Sequence, residues 1–142
     1  RLPQAPATRR KAVGFLPGTE DVLVLSDASG EFEFWRQAAN GLDGPQQVSR
    51  GGKTTRYEGM ASPDGKTLAH ADRDQVLWLM EVATGKSREV ARSKNGRIWD
   101  EIELVWSPDS RWLAFVDTAP NTVERIFVYD TQGAGPPVAV PT

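Results

Sequence analysis

The sequence predicts an all-β chain built from three copies of one four-stranded unit. Three observations carry that reading: internal self-similarity, short apolar runs rich in β-branched and aromatic residues, and turn clusters at regular intervals. Pro17, Pro63 and Pro108 recur at spacings of 46 and 45 residues, each ahead of a short apolar run. Those runs, Val22-Leu23-Val24-Leu25, Leu68-Ala69-His70-Ala71 and Leu113-Ala114-Phe115-Val116, align without gaps and close on Ser26, Asp72 and Asp117. A four-stranded meander repeated at this period is the blade unit of a β-propeller, so the expected fold is a β-propeller fragment of three four-stranded antiparallel blades.

Each element follows from local chemistry. In the second copy, Ser62-Pro63-Asp64-Gly65 suits a type I turn, because proline presets φ at the second position, serine bonds back at the first and glycine accepts the fourth. The polar cluster Asp72-Arg73-Asp74-Gln75 then leads into an apolar strand over 76–82, and Ala83-Thr84-Gly85-Lys86 turns the chain into a fourth strand over 87–91. The first copy follows the same plan, with Asp27-Ala28-Ser29-Gly30 before a strand over 31–36. The third continues past 118–121 to strands over 125–130 and around 138–140. The expected division is 1–10 as the end of a preceding blade or a linker, 11–52 as blade 1, 53–95 as blade 2 and 96–142 as blade 3.

Composition narrows the function classes. With 17 basic and 19 acidic residues spread along 142 positions, the net charge of −2 offers no electrostatic reason for a nucleic-acid or anionic-membrane partner. Absence of cysteine removes disulfides, a thiol nucleophile and thiolate metal sites. No apolar run approaches the roughly 20 residues that cross a bilayer, and Arg1-Leu2-Pro3-Gln4-Ala5-Pro6 lacks the apolar stretch of a secretion signal, so a soluble segment is expected.

The repeat Ser-Pro-Asp-Gly-Lys-x-Leu-Ala, followed by an aromatic-rich strand and Thr-Gly-Lys, resembles the TolB and tricorn group of propellers. From Lys11 onward, 26–34, 77–86 and 97–101 with 106–114 are similar to consecutive blades of one tricorn propeller, most of all the seven-bladed propeller domain of a tricorn-type serine peptidase. Two positions depart from the pattern: Leu16-Pro17-Gly18-Thr19 replaces Ser-Pro-Asp-Gly, and Ala61 stands where the third copy has Trp106. The resemblance implies a non-catalytic segment that helps to gate peptide passage to a proteolytic core elsewhere in the parent chain. The alternative is a TolB-like protein-interaction scaffold unconnected with proteolysis. It also implies a cytoplasmic location, with the periplasm left open, and no cofactor.

Several residues invite sharper readings. His70, the sole histidine, could be placed in a Ser-His-Asp arrangement with Asp72, yet it occupies the repeat position of Val24 and Phe115 and is expected to be a packed structural residue. One histidine cannot build a histidine metal cluster, and no motif of the Gly-x-Ser-x-Gly kind is present. Asp64 and Asp109 read as turn formers, since the spacing is wrong for a sialidase-type Asp-box and each turn offers too few oxygens for calcium. Among the five tryptophans, Trp35, Trp78, Trp106 and Trp112 are expected to fill gaps between blades, and Trp99 to be the exposed one. The basic cluster Arg9-Arg10-Lys11 reads as a solvated face.

The innermost strand of each blade lines a propeller's channel, and the alignment puts Arg10, Arg56, Glu58, Glu101 and Glu103 at alternating positions there, as candidate channel-lining residues. Leu68, Trp78, Leu113 and Phe127, in the middle strands, are expected to be buried between sheets. Three blades cannot close a ring, so the expected partners are the remaining blades of a parent chain or a second copy in a ring of two times three blades, with peptides as further candidates.

Overall fold

The computed structural model describes residues 9–52, 56–93, 104–118 and 124–141. Among these, twelve strands form three separate four-stranded antiparallel sheets, with no helix. Blade 1 holds β1 (Arg10–Phe15), β2 (Asp21–Ser26), β3 (Glu33–Ala38) and β4 (Gln46–Gln47). Blade 2 holds β5 (Arg56–Ala61), β6 (Thr67–Asp72), β7 (Val76–Glu81) and β8 (Ser87–Arg92). Blade 3 holds β9 (Leu104–Trp106), β10 (Trp112–Thr118), β11 (Glu124–Asp130) and β12 (Val138–Ala139). Each sheet is a meander whose strands lie in chain order.

The turn chemistry is the one the residue types dictate. Ser62 Oγ donates to Asp64 Oδ1 at 2.6 Å and accepts from the Thr67 N–H at 3.1 Å, while the Gly65 N–H returns to the Ser62 carbonyl at 2.8 Å. In blade 3 the Ser107 hydroxyl and the Arg111 N–H both bond Asp109, and together they hold its carboxyl below the usual carboxylate range. Both aspartates thus spend oxygens on their own turns.

Alternation along the strands produces two seams. In the first, Leu16, Leu23, Leu25, Phe34 and Val48 of blade 1 pack against Leu68, Met80 and Val82 of blade 2. In the second, Ala69, Ala71, Leu77, Leu79 and Val90 of blade 2 pack against Leu104, Trp106, Leu113, Phe115 and Tyr129 of blade 3. Blade 2 is therefore covered on both faces. Its strand β6 accordingly reads as a nearly continuous buried run, whereas β2 and β10 mix buried with partly buried positions.

Leu68 and Leu113 are fully buried as expected, but Trp78 and Phe127 are only half-buried. Trp78 borders a cavity and sends its indole N–H to Asp72 Oδ2 at 2.7 Å, and Phe127 stacks on Phe115 with centroids 5.7 Å apart. Trp112 departs further from expectation. It is 40% exposed, with the Arg111 guanidinium 5.0 Å from its ring centre. Its side chain shares the face of Ala114 and Val116, which points away from blade 2.

Candidate functional site

Arg10, Arg56 and Glu58 lie on β1 and β5, the first strands of their sheets, and these two strands run next to each other. Arg10 is exposed. The side chain of Glu58 lies outside the described residues, as do Glu101, Glu103 and Trp99. Arg56 pairs across the sheet with Asp72, but its guanidinium is largely buried, 3.4 Å from Glu33 Oε2. Glu33 is itself buried, accepting from the Ser49 hydroxyl and, at 2.7 Å, from the Gly52 N–H. Ser49 Oγ in turn accepts the Phe34 N–H at 2.8 Å. A polar chain thus runs from the interior of blade 1 through the β4–β5 connection into blade 2.

His70 completes this group. Its ring is 2% exposed and meets Phe34 edge-on at 4.8 Å between centroids. Within hydrogen-bonding geometry neither ring nitrogen has a partner, and the same is true of Arg56 Nη1. Burial, and then the neighbouring Arg56 charge, push the imidazole down to about 3. Among the described residues, no hydroxyl is hydrogen-bonded to the ring.

A cavity of about 280 Å³ at the first seam is bordered by Arg56, His70, Asp72, Asp74 and Trp78. Asp72 is buried and fixed: Oδ1 accepts the N–H groups of Asp74 and Val76 at 2.9 and 3.2 Å, and Oδ2 accepts the Trp78 indole. Asp74 sits exposed at the rim, in the β6–β7 turn. The repeat singled out Arg56 as a polar residue of an inner strand, and its pairing with Asp72 comes from the strand register. Glu33 and Ser49 carried no such signal, because both come from blade 1 and reach the site only when the two sheets pack.

The outward faces of the end blades differ from the seams. Val105, Ile126 and Val138 of blade 3 are 63%, 45% and 66% exposed. On blade 1, Val24 and Trp35 line a groove of about 440 Å³, in which the buried Trp35 indole N–H has no partner.

No protein-family model matches the chain. It is 35% identical over 118 residues to Tricorn protease homolog 1 of Streptomyces coelicolor, a stretch that is 80% of this chain and 11% of that protein. The chain therefore spans about a tenth of this curated relative's length. The crystal structure of the tricorn protease superposes with a TM-score of 0.72 at 17% identity, covering 87% of this chain and 12% of that one. TolB from Acinetobacter baumannii superposes at 0.67 with 17% identity, over 88% of this chain and 30% of that one. At such identities the structural likeness speaks to the fold.

Proposed function

From the premise that the chain is a three-blade segment of a TolB/tricorn-type β-propeller, we propose that it serves a tricorn-like serine peptidase as a non-catalytic element. In this reading it helps to gate peptide substrate or product on its way to a proteolytic core elsewhere in a longer chain. The observation that carries the proposal is the 35% identity over 118 residues to a tricorn protease homologue of which the segment is only 11%. The uncovered apolar faces of blades 1 and 3 agree with further blades of the same polypeptide packing on both sides.

The test compares the 142-residue chain with the product of the complete open reading frame on a panel of fluorogenic peptides. The chain should be inert and the complete product active. Arg10→Glu in the complete product should change the ranking of long acidic against long basic peptides and leave the shortest substrate unaffected. A complete product that cleaves no peptide would replace this reading with the TolB-like scaffold. Light scattering distinguishes further blades from self-association: a chain forming a dimer of two times three blades at all concentrations would show that a second copy covers the faces.

A further inference from the structure

The outward face of blade 1 is built like the face that blade 2 turns toward blade 1. Arg10 pairs with Ser26 across β1 and β2, and Val24 with Trp35 across β2 and β3. In blade 2 the matching pairs are Arg56 with Asp72 and His70 with Trp78. The groove on blade 1, lined by Arg10, Val24, Ser26 and Trp35, therefore holds the place that the cavity of the first seam holds on blade 2. One place is covered and the other open, so the first shows what the second lacks.

Blade 1 covers Arg56 with a carboxylate. Glu33, the first residue of β3, is buried, and its Oε2 lies 3.4 Å from the Arg56 guanidinium. Arg10 is exposed, and among the described residues it has no carboxylate at ion-pair distance. An arginine taken out of water between two blades needs a counter-charge.

A second copy does not supply one. In a ring of two times three blades, blade 3 of one copy would face blade 1 of the other. Glu33 pairs with Ser26 and Arg125 with Asp117, and Ser26 and Asp117 close the aligned runs of their blades, so Arg125 holds in blade 3 the backbone position of Glu33. Arg125 is exposed, and its neighbour Glu124 is already engaged. The contact would set Arg125 against Arg10, two like charges.

We propose that the outward face of blade 1 receives a further four-stranded blade of the longer polypeptide that carries Asp or Glu at the first position of its third strand. That carboxylate pairs with Arg10 as Glu33 pairs with Arg56, and Arg125 bars a second copy from the same place. The inference rests on the reading that further blades flank this segment, and it names the charge that selects them. In a closed ring Arg10 still lies on an innermost strand, so reversing its charge remains a probe of the channel as well.

The test exchanges the charges in the 142-residue chain and reads self-association by sedimentation from about 1 μM to about 1 mM. Arg125→Glu should associate about tenfold or more tightly than the unaltered chain, because the new carboxylate meets Arg10. Arg10→Glu alone should do the same, its carboxylate meeting Arg125. The double reversal sets two carboxylates together and should fall back to the level of the unaltered chain. Both positions are exposed, so all four chains should keep the same circular dichroism. Four chains that associate alike or all stay monomeric, or a double reversal as tight as either single one, would overturn the proposal. The complete open reading frame separates this proposal from the reading beneath it. The absence of any further blade there would overturn that reading, whereas a covering blade without Asp or Glu at the named position would overturn this proposal alone.

Discussion

The two seams solve one packing problem with different chemistry. Both join equivalent faces of neighbouring blades, and the repeat places His70 of the first where Phe115 stands in the second. Among the described residues, Phe115 lies in a cluster of apolar side chains, and cross-blade polar contacts include the Trp106 indole to the Met60 carbonyl at 2.9 Å. Around His70 the interior admits Glu33, Ser49, Arg56 and Asp72. The turns differ too. Gly65 and Gly85 of blade 2 have φ of 73° and 75°, and a Cβ on either would lie 2.3 Å from the Pro17 carbonyl oxygen or 2.0 Å from that of Val48. At the next seam Ser110, at φ 65°, takes the place of Gly65 and uses its hydroxyl to accept the Asp64 N–H at 3.0 Å. One seam is closed by backbone approach around a polar interior, the other by side-chain packing.

That contrast can be broken from either side. The largest effect is expected in the apolar seam: Leu113→Ala removes a fully buried side chain and should destabilise by about 2–5 kcal/mol in urea denaturation, with an unchanged slope. An unmoved midpoint would count against the blade assignment. Gly85→Ala attacks the backbone contact of the first seam. It combines a left-handed φ with a clash against backbone and should cost roughly 1–3 kcal/mol by the same measurement. His70→Phe makes the first seam resemble the second. By removing an unpartnered imidazole it should leave the stability at neutral pH equal or raised by about 1 kcal/mol, whereas a loss of several would mean that the ring makes essential polar contacts.

Acid should separate the seams as well. The unfolded chain takes up a proton at His70 near 6.5 and the folded chain only near 3, so the unfolded state binds more protons between those values. This contribution to stability is complete above about pH 6.5 and is lost as pH falls toward 3, with a slope from this one group approaching about 1.4 kcal/mol per pH unit. The His70→Phe variant should show a shallower decline over the same window. Parallel curves for the two proteins would remove His70 as the cause.

Much of the fold was legible because a blade is a local object. Proline spacing located the repeats, Ser-Pro-Asp-Gly and Ala-Thr-Gly-Lys located turns, and alternation between them located the strands. The burial of His70 was legible through its alignment with Phe115. Trp112 was misplaced because an apolar run shows which residues pair with a sheet but not which of its faces a neighbour covers. The site was less legible still. Arg56 was visible as a polar residue of an inner strand, but its burial depends on Glu33 and Ser49, which reach it only through the packing of one blade on the next.

The central claim is that the first seam buries a neutral imidazole in a polar interior. A pH titration of the His70 ring signals by NMR in the folded chain tests it most directly. The account predicts chemical shifts that stay flat from pH 8 to about 5 and move only toward a midpoint near 3, reached as the chain begins to unfold. A reversible titration centred near 6.5 in a chain that stays folded would contradict it, placing His70 in contact with solvent and the seam open.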